Sequence, residues 1–133
     1  KTFTVALMDA PYESENLTTA FRILDAMARR GHNINVFAYE GAAALAFSKQ
    51  APHPNPVHGK NVVEENHPTT KDQVTALLGV AAQNGGKLDW VNCGMCVDER
   101  GVSEFVEGTR RGSPADFHSF CEASDNVLKI PTK

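Results

Sequence analysis

Two cysteines that flank Gly94 and Met95 are the residues whose type and spacing best suit chemistry. Cys93 and Cys96 directly follow an apolar stretch that predicts a β-strand over residues 87–92. The thiolate is the reactive form of cysteine, and the positive end of a helix lowers the free energy needed to form it. The sequence therefore predicts a site for sulfur chemistry where this strand ends and a helix begins.

The residues alone leave four interpretations of this pair open. Two cysteines can pack as small apolar residues, or they can supply half of a zinc site. No second pair of metal ligands has the usual spacing. A dithiol can also cycle with a disulfide, and a single thiolate can carry a sulfane sulfur atom as a persulfide. We predict Cys93 and Cys96 as the catalytic residues and expect neither a metal nor a cofactor.

The remaining cysteine and the loop histidines favour simpler interpretations. Cys121 stands at core spacing from Phe117 on a predicted helix, so we expect a buried structural thiol rather than a resolving cysteine. Three histidines in a proline-rich segment are expected to be solvated, with an approach of one of them to Cys93 as the alternative. They are His53, His58 and His67.

Composition limits the class of protein. The chain has 133 residues, 41% of them hydrophobic and 22% charged, as in an ordinary soluble globular protein of one domain. A net charge of −3 without a basic block argues against direct binding of nucleic acid. The longest apolar run, residues 42–47, is far shorter than the roughly 20 residues of a membrane helix. Three cysteines form no disulfide framework, which predicts a cytoplasmic location.

Alternating strands and helices must position the cysteine pair. Strands are predicted over residues 2–8, 33–39, 87–92 and 126–130, and helices over 15–30, 41–49, 71–83 and from Ser113-Pro114 onward, with a short turn or helix over 102–106. The last helix is expected to point four residues inward: Phe117, Phe120, Cys121 and Val127. This alternation predicts an α/β fold with a mostly parallel sheet of about four to five strands, covered on both faces. Sites in such sheets form at the carboxyl ends of strands.

A long segment rich in proline and histidine interrupts this pattern. Residues 51–70 contain four prolines and three histidines, which is incompatible with a regular helix or a central strand. A loop of this length in a compact domain is usually a functional flap, an oligomer contact or a mobile segment. We expect it to cover the cysteines or to contribute to an interface.

The segment NCGMCVDERGV, residues 92–102, resembles the cysteine segment of the DsrE/DsrF/TusD-like sulfur relay family, in a Cys-Gly-x-Cys variant. The similarity extends over most of the chain, through a helix ending in Arg-Arg-Gly-His and a strand with Val-Phe-Ala-Tyr. In TusD-like members the sulfur-accepting cysteine lies eight residues before the glycine of an Arg-Gly-Val segment, which is Cys93 here. Cys96 departs from single-cysteine relatives, so its role as resolving, sulfur-carrying or packing residue stays open.

The resemblance implies a flavodoxin-like three-layer sandwich formed by a single DsrE-like domain over residues 1–133. It implies assembly into homo-oligomers, trimers or hexamers, or into hetero-oligomers with paralogues. It further implies a sulfurtransferase or carrier that holds sulfane sulfur as a persulfide on Cys93 and relays it in sulfur oxidation or tRNA thiolation. The expected partner is a TusA-like sulfur carrier or another persulfide donor or acceptor. A CxxC dithiol–disulfide oxidoreductase and a non-catalytic assembly subunit are the alternatives.

Overall fold

A parallel sheet of five strands organises residues 1–53, 61–65 and 68–131, which this computed structural model describes. The strands are β1 (Thr2–Leu7), β2 (Asn33–Ala38), β3 (Leu88–Cys93), β4 (Thr109–Gly112) and β5 (Asn126–Ile130). They lie in the order β4-β3-β2-β1-β5. The predicted α/β class is confirmed. In flavodoxin the second strand lies at an edge of the sheet, whereas here the edges are β4 and β5.

Helices connect the strands and cover both sides of the sheet. They are α1 (Glu15–Arg29), α2 (Val62–Glu65), α3 (Thr70–Gln83), α4 (Gly94–Arg100) and α5 (Pro114–Ala123), with a 3₁₀-helix over Glu40–Ala44. Serine caps explain two of the starts: the hydroxyl oxygens of Ser14 and Ser113 accept hydrogen bonds from backbone N–H groups at the beginnings of α1 and α5. In the described parts of the chain, no helix has both the length and the apolarity needed to cross a membrane.

The first face of the sheet carries the larger core. Alternate side chains of the three central strands pack there against α1 and α3, because successive strand residues point to opposite faces. The largest fully buried side chains of this core are Trp90, Leu7, Leu24, Ile34, Leu45, Val5, Val36 and Val74. The indole N–H of Trp90 donates a hydrogen bond of 3.1 Å to the side-chain oxygen of Asn92, so this buried polar pair is satisfied.

The second face is covered by α4 and α5 and is packed less deeply. Phe37, Val91 and Cys93 form its buried centre together with side chains of α4. The predicted inward residues of α5 are only partly buried, and none of its residues is fully buried. Val127, also predicted to point inward, is 42% exposed on β5, which is a correction. Its strand forms an edge of the sheet, while α5 lies over β1 and β2.

The chain between α4 and α5 differs from the expected pattern. The short turn or helix predicted over residues 102–106 is absent, and Phe105 instead forms an isolated antiparallel bridge with Phe47. The chain then forms β4, which pairs in parallel with β3. This strand cannot be recognised from its sequence, Thr-Arg-Arg-Gly, because the sequence contains no apolar residue. A partly exposed edge strand does not require one.

Two further segments also differ. The predicted helix over 41–49 is reduced to the 3₁₀-helix, where Gly41 passes so close to the segment after β1 that an added Cβ would lie 2.8 Å from the Cβ of Ala10. Within the proline-rich segment α2 forms one helical turn, contrary to the expectation of no helix, because its four residues contain no proline. The predicted loop histidines His58 and His67 lie outside the described residues.

Candidate functional site

The cysteine pair lies where β3 ends at the carboxyl edge of the sheet. Cys93 is the last residue of β3 and the N-cap residue of α4, which confirms the predicted change from strand to helix. In the sheet it is paired with Gly112 of β4. The helix has seven residues and ends at Gly101, whose φ of 66° suits a residue without a Cβ. So short a helix aligns few peptide dipoles, and its help to a thiolate is correspondingly limited.

Both thiols point into the protein, while Met95, one of the two residues between them, points outward. Cys93 is 7% exposed and Cys96 is 8% exposed, whereas Met95 is 73% exposed. Both cysteines are free, and the thiol of Cys96 is hydrogen-bonded to Cys93. The structure therefore brings the two predicted site residues together, and no disulfide joins them.

The environment of Cys96 distinguishes it from Cys93. Its Sγ accepts a hydrogen bond of 3.1 Å from the backbone N–H of Glu40, a residue with a left-handed φ of 51°. Burial, and then the hydrogen bond to Cys93, raise the pKa of Cys96 to about 11. Cys96 consequently keeps its proton at neutral pH and can donate it in a hydrogen bond to a Cys93 thiolate.

A charged pair frames the site from two elements. The guanidinium of Arg111, on β4, forms two hydrogen bonds with the carboxylate of Asp98, on α4, at 2.8 and 2.7 Å. These hydrogen bonds lower the pKa of Asp98 below its usual value. Arg100, at the end of α4, lies 3.1 Å from Glu40 and 3.8 Å from Glu99.

Sequence reasoning missed Arg111 because it missed β4. The pair Arg110-Arg111 lies fifteen or more residues after Cys93, and only the pairing of β4 with β3 brings it to the site. The one usable signal was that two arginines follow a glycine shortly before a capped helix, which fits an exposed edge strand.

The other candidate residues make their contacts elsewhere. Cys121 is only partly buried on α5, so the prediction of a buried thiol is wrong in degree. The ring of His53 packs edge-on against Tyr12 at 4.7 Å, and the ring of His118 lies 3.6 Å from the carboxylate of Glu122. Among the described residues, no group of three or more potential ligands is arranged to hold a metal ion.

Comparisons with known proteins agree with this architecture. The chain is 29% identical over 128 residues to protein MJ0989 of Methanocaldococcus jannaschii, covering 95% of this chain and 96% of that protein. It is 28% identical over 127 residues to protein MK0008 of Methanopyrus kandleri, covering 94% and 90%. The crystal structure of the ychN protein from E. coli has the same fold, with a TM-score of 0.71, 23% identity and 97% of each chain covered. The sequence model of the DsrE/DsrF-like family matches residues 1–130, and the chain therefore belongs to the DsrE/DsrF-like family.

Proposed function

We propose that this protein accepts sulfane sulfur as a persulfide on Cys93 and relays it to a protein partner. Family membership supports a role related to sulfur relay in general. The observation that carries the finer proposal is the unequal thiol pair at the end of β3. Cys96, with a pKa of about 11, keeps its proton beside Cys93, so one thiol is left to act as nucleophile and the other as hydrogen-bond donor.

The proposed loading step is a thiol–persulfide exchange. The thiolate of Cys93 attacks the terminal sulfur of a donor persulfide, R–S–SH. A new S–S bond forms on Cys93, the S–S bond of the donor breaks, and the electron pair leaves with the donor thiolate, R–S⁻. In the second step an acceptor thiolate attacks the terminal sulfur on Cys93 in the same way. Cys93 returns as a thiolate, and no net oxidation takes place.

The state of Cys96 favours a carrier over a dithiol–disulfide oxidoreductase. A Cys96 thiolate could attack the sulfur of Cys93 in the persulfide, which would form a disulfide and release hydrosulfide. The raised pKa of Cys96 leaves little of this thiolate at neutral pH, so the side reaction is slow. Both cysteines are also less than a tenth exposed, which limits attack on the persulfide by thiols in solution.

The test is the mass of the intact protein after exposure to polysulfide, followed by removal of excess reagent. Wild type and Cys121→Ser should gain one sulfur atom that is released by a reducing agent, while Cys93→Ser should gain none. An adduct that persists in Cys93→Ser and disappears in Cys96→Ser would assign the carrier role to Cys96. The absence of an adduct on the folded wild-type protein would reject the function.

We further propose that copies of the chain associate through β5. Among the described residues no strand pairs with the outer edge of β5, and Val127 and Leu128 are 42% and 39% exposed. An open edge with apolar side chains is a surface on which a second strand can add. The sulfur partner itself is proposed to be a TusA-like carrier or another protein that donates or accepts a persulfide.

A further inference from the structure

The side chain of Arg111 lies across the backbone of the residue that follows Cys93. A Cβ added to Gly94 would lie 2.7 Å from Nε, 2.8 Å from Cζ and 2.8 Å from Nη2 of Arg111. The guanidinium therefore fills the space that any side chain at position 94 would need. Glycine at this position has a role in the site beyond its freedom to turn, because it lets a cation come within contact distance of the cysteine motif.

Asp98 fixes this guanidinium in place. Its two carboxylate oxygens accept hydrogen bonds from Nη1 and Nη2, which is the two-pronged geometry that holds an arginine most firmly. Asp98 lies one helical turn beyond Gly94 on α4, so the same short helix presents both the gap for the guanidinium and the carboxylate that orients it.

We propose that Arg111, positioned by Asp98, is the cation that stabilises the anionic sulfur of Cys93 as thiolate and as persulfide. The stabilisation of the Cys93 thiolate does not depend on the proposed function, whereas the stabilisation of its persulfide rests on it. Hydrogen bonds from Arg111 to Asp98, and then the negative charges of Asp98 and Cys93, raise the pKa of Arg111 above its usual value. Asp98 and the side chain of Cys93 are thus both within electrostatic range of the guanidinium.

The other charged groups around Cys93 are already paired. Glu40, beside the 3₁₀-helix backbone that contacts Cys96, binds Arg100. On α5, the carboxylate of Asp116 accepts hydrogen bonds from the backbone N–H of Ser113 and from Arg110. Cys96 carries a proton at neutral pH. Arg111 is paired as well, with Asp98, but its guanidinium is also in contact range of Gly94 at the start of α4 and so can offset a negative charge there.

The neighbouring arginine of β4 provides a contrast within the same strand. Arg110, the preceding residue of β4, instead contacts β3 and α5: its guanidinium binds Asp89 at 2.9 Å and Asp116 at 3.1 Å and lies over the ring of Phe120. It ties β4 to β3 and to α5. Loss of Arg110 should thus lower the stability of this edge, whereas loss of Arg111 should change the chemistry of the thiol.

The experiment measures the rate of alkylation of Cys93 by iodoacetamide as a function of pH, with the modified peptide quantified by mass spectrometry. Arg111→Gln should move the midpoint of this profile upward by about half to one pH unit, since the lost cation is half exposed and shared with Asp98. Arg111→Lys, which keeps a positive charge at this position, should move the midpoint upward by less than Arg111→Gln does. Arg29→Gln, which removes an exposed arginine from a distant helical pair, should leave the profile unchanged.

Gly94→Ala keeps the arginine but displaces its guanidinium, and it should shift the profile in the same direction as Arg111→Gln. This variant serves if Arg111→Gln does not fold, as judged by its thermal unfolding curve. A wild-type profile in folded Arg111→Gln or Gly94→Ala would overturn the proposal and leave Arg111 a purely structural residue.

Sulfur loading separates this inference from the function itself. If wild type takes up sulfur from polysulfide, Arg111→Gln should take it up more slowly at pH 7, by about 3- to 10-fold, in step with its smaller fraction of thiolate. A shifted alkylation profile without any sulfur uptake by wild type would keep the role of Arg111 and reject the carrier function. Normal sulfur uptake by Arg111→Gln together with an unshifted alkylation profile would keep the carrier function and reject the role of Arg111.

Discussion

The two faces of the sheet bury their side chains to different depths. On the face covered by α1 and α3, the central side chains are almost inaccessible: Leu24 and Trp90 are 0% exposed. On the face covered by α4 and α5, the phenylalanines of α5 are only partly buried, and no residue of that helix is buried completely. The first face therefore contributes most of the apolar burial that stabilises the fold.

The shallower face is the one that can hold charges next to a reactive thiol. Burying an ionic pair removes it from water at a cost that the pairing seldom recovers. Here the Arg111–Asp98 pair is about half exposed, so it keeps much of its hydration while still contacting the start of α4. Most of the apolar burial thus lies on one face of the sheet, and the proposed sulfur site lies on the other.

The largest expected effect comes from breaking the deep face. Leu24→Ala should lower the free energy of unfolding by about 3 kcal/mol, because it leaves a cavity among fully buried side chains. Urea unfolding measures the loss. The pH profile of Cys93 alkylation should not change, since Leu24 lies on the opposite face of the sheet.

Phe117→Ala is the matched variant on the shallow face. Its ring is partly exposed and stacks on the ring of Phe37, with the two centroids 5.3 Å apart. Removing the ring should lower the free energy of unfolding by about 1.5 kcal/mol, which is less than the loss of a phenylalanine ring from a fully buried core. Equal losses in Leu24→Ala and Phe117→Ala would contradict the division between the faces.

A second effect should appear only at high pH, through Cys96. Its pKa is raised from an ordinary 9.0 to about 11 in the native state, so the native protein keeps this proton after the unfolded chain has released it. Stability should therefore fall as the pH rises from about 9 to about 11, by at most about 3 kcal/mol, and should be unaffected below that range.

The difference between two urea unfolding series isolates this contribution. Cys96→Ser lacks the titrating thiol, so the gap in unfolding free energy between it and wild type should change across this pH range. Cys121→Ser, which removes a partly buried thiol from α5, should run parallel to wild type. If the curve of Cys96→Ser also ran parallel to that of wild type, the thiol of Cys96 would have an ordinary pKa in the folded wild-type protein.

The elements of the deep face are also those that the sequence predicts well. Apolar residues at helical spacing place α1 and α3 within one residue of their observed bounds, and apolar runs place β1, β2 and β3 equally closely. These patterns can be recognised in the sequence because a fully buried face requires apolar residues at fixed intervals. Cys93 and Cys96 were identified for a related reason: their spacing and their position after a strand are local features of the chain.

The shallow face was harder to predict because its residues are less constrained. An edge strand of threonine, arginine and glycine carries no apolar period, so β4 and with it Arg111 were missed. The exposure of Val127 was missed because its side chain suits a core equally well. The hydrogen bond from Glu40 to Cys96 spans 56 positions and depends on a left-handed backbone at a residue that seldom adopts one. No local pattern encodes such a contact.

The smallest effect on the isolated chain is expected at the open edge, where the proposed association through β5 can be tested. Leu128→Lys should change the free energy of unfolding of a monomer by no more than about 0.5 kcal/mol, because the side chain is already 39% exposed. The same change places a charge in the apolar surface of β5, so it should lower the mass measured by light scattering at a fixed concentration. Ala82→Lys, on the exposed side of α3, is the matched control and should leave that mass unchanged. A wild-type mass equal to one chain would reject association at the concentration used, and a Leu128→Lys mass equal to that of an oligomeric wild type would place the partner surface away from β5.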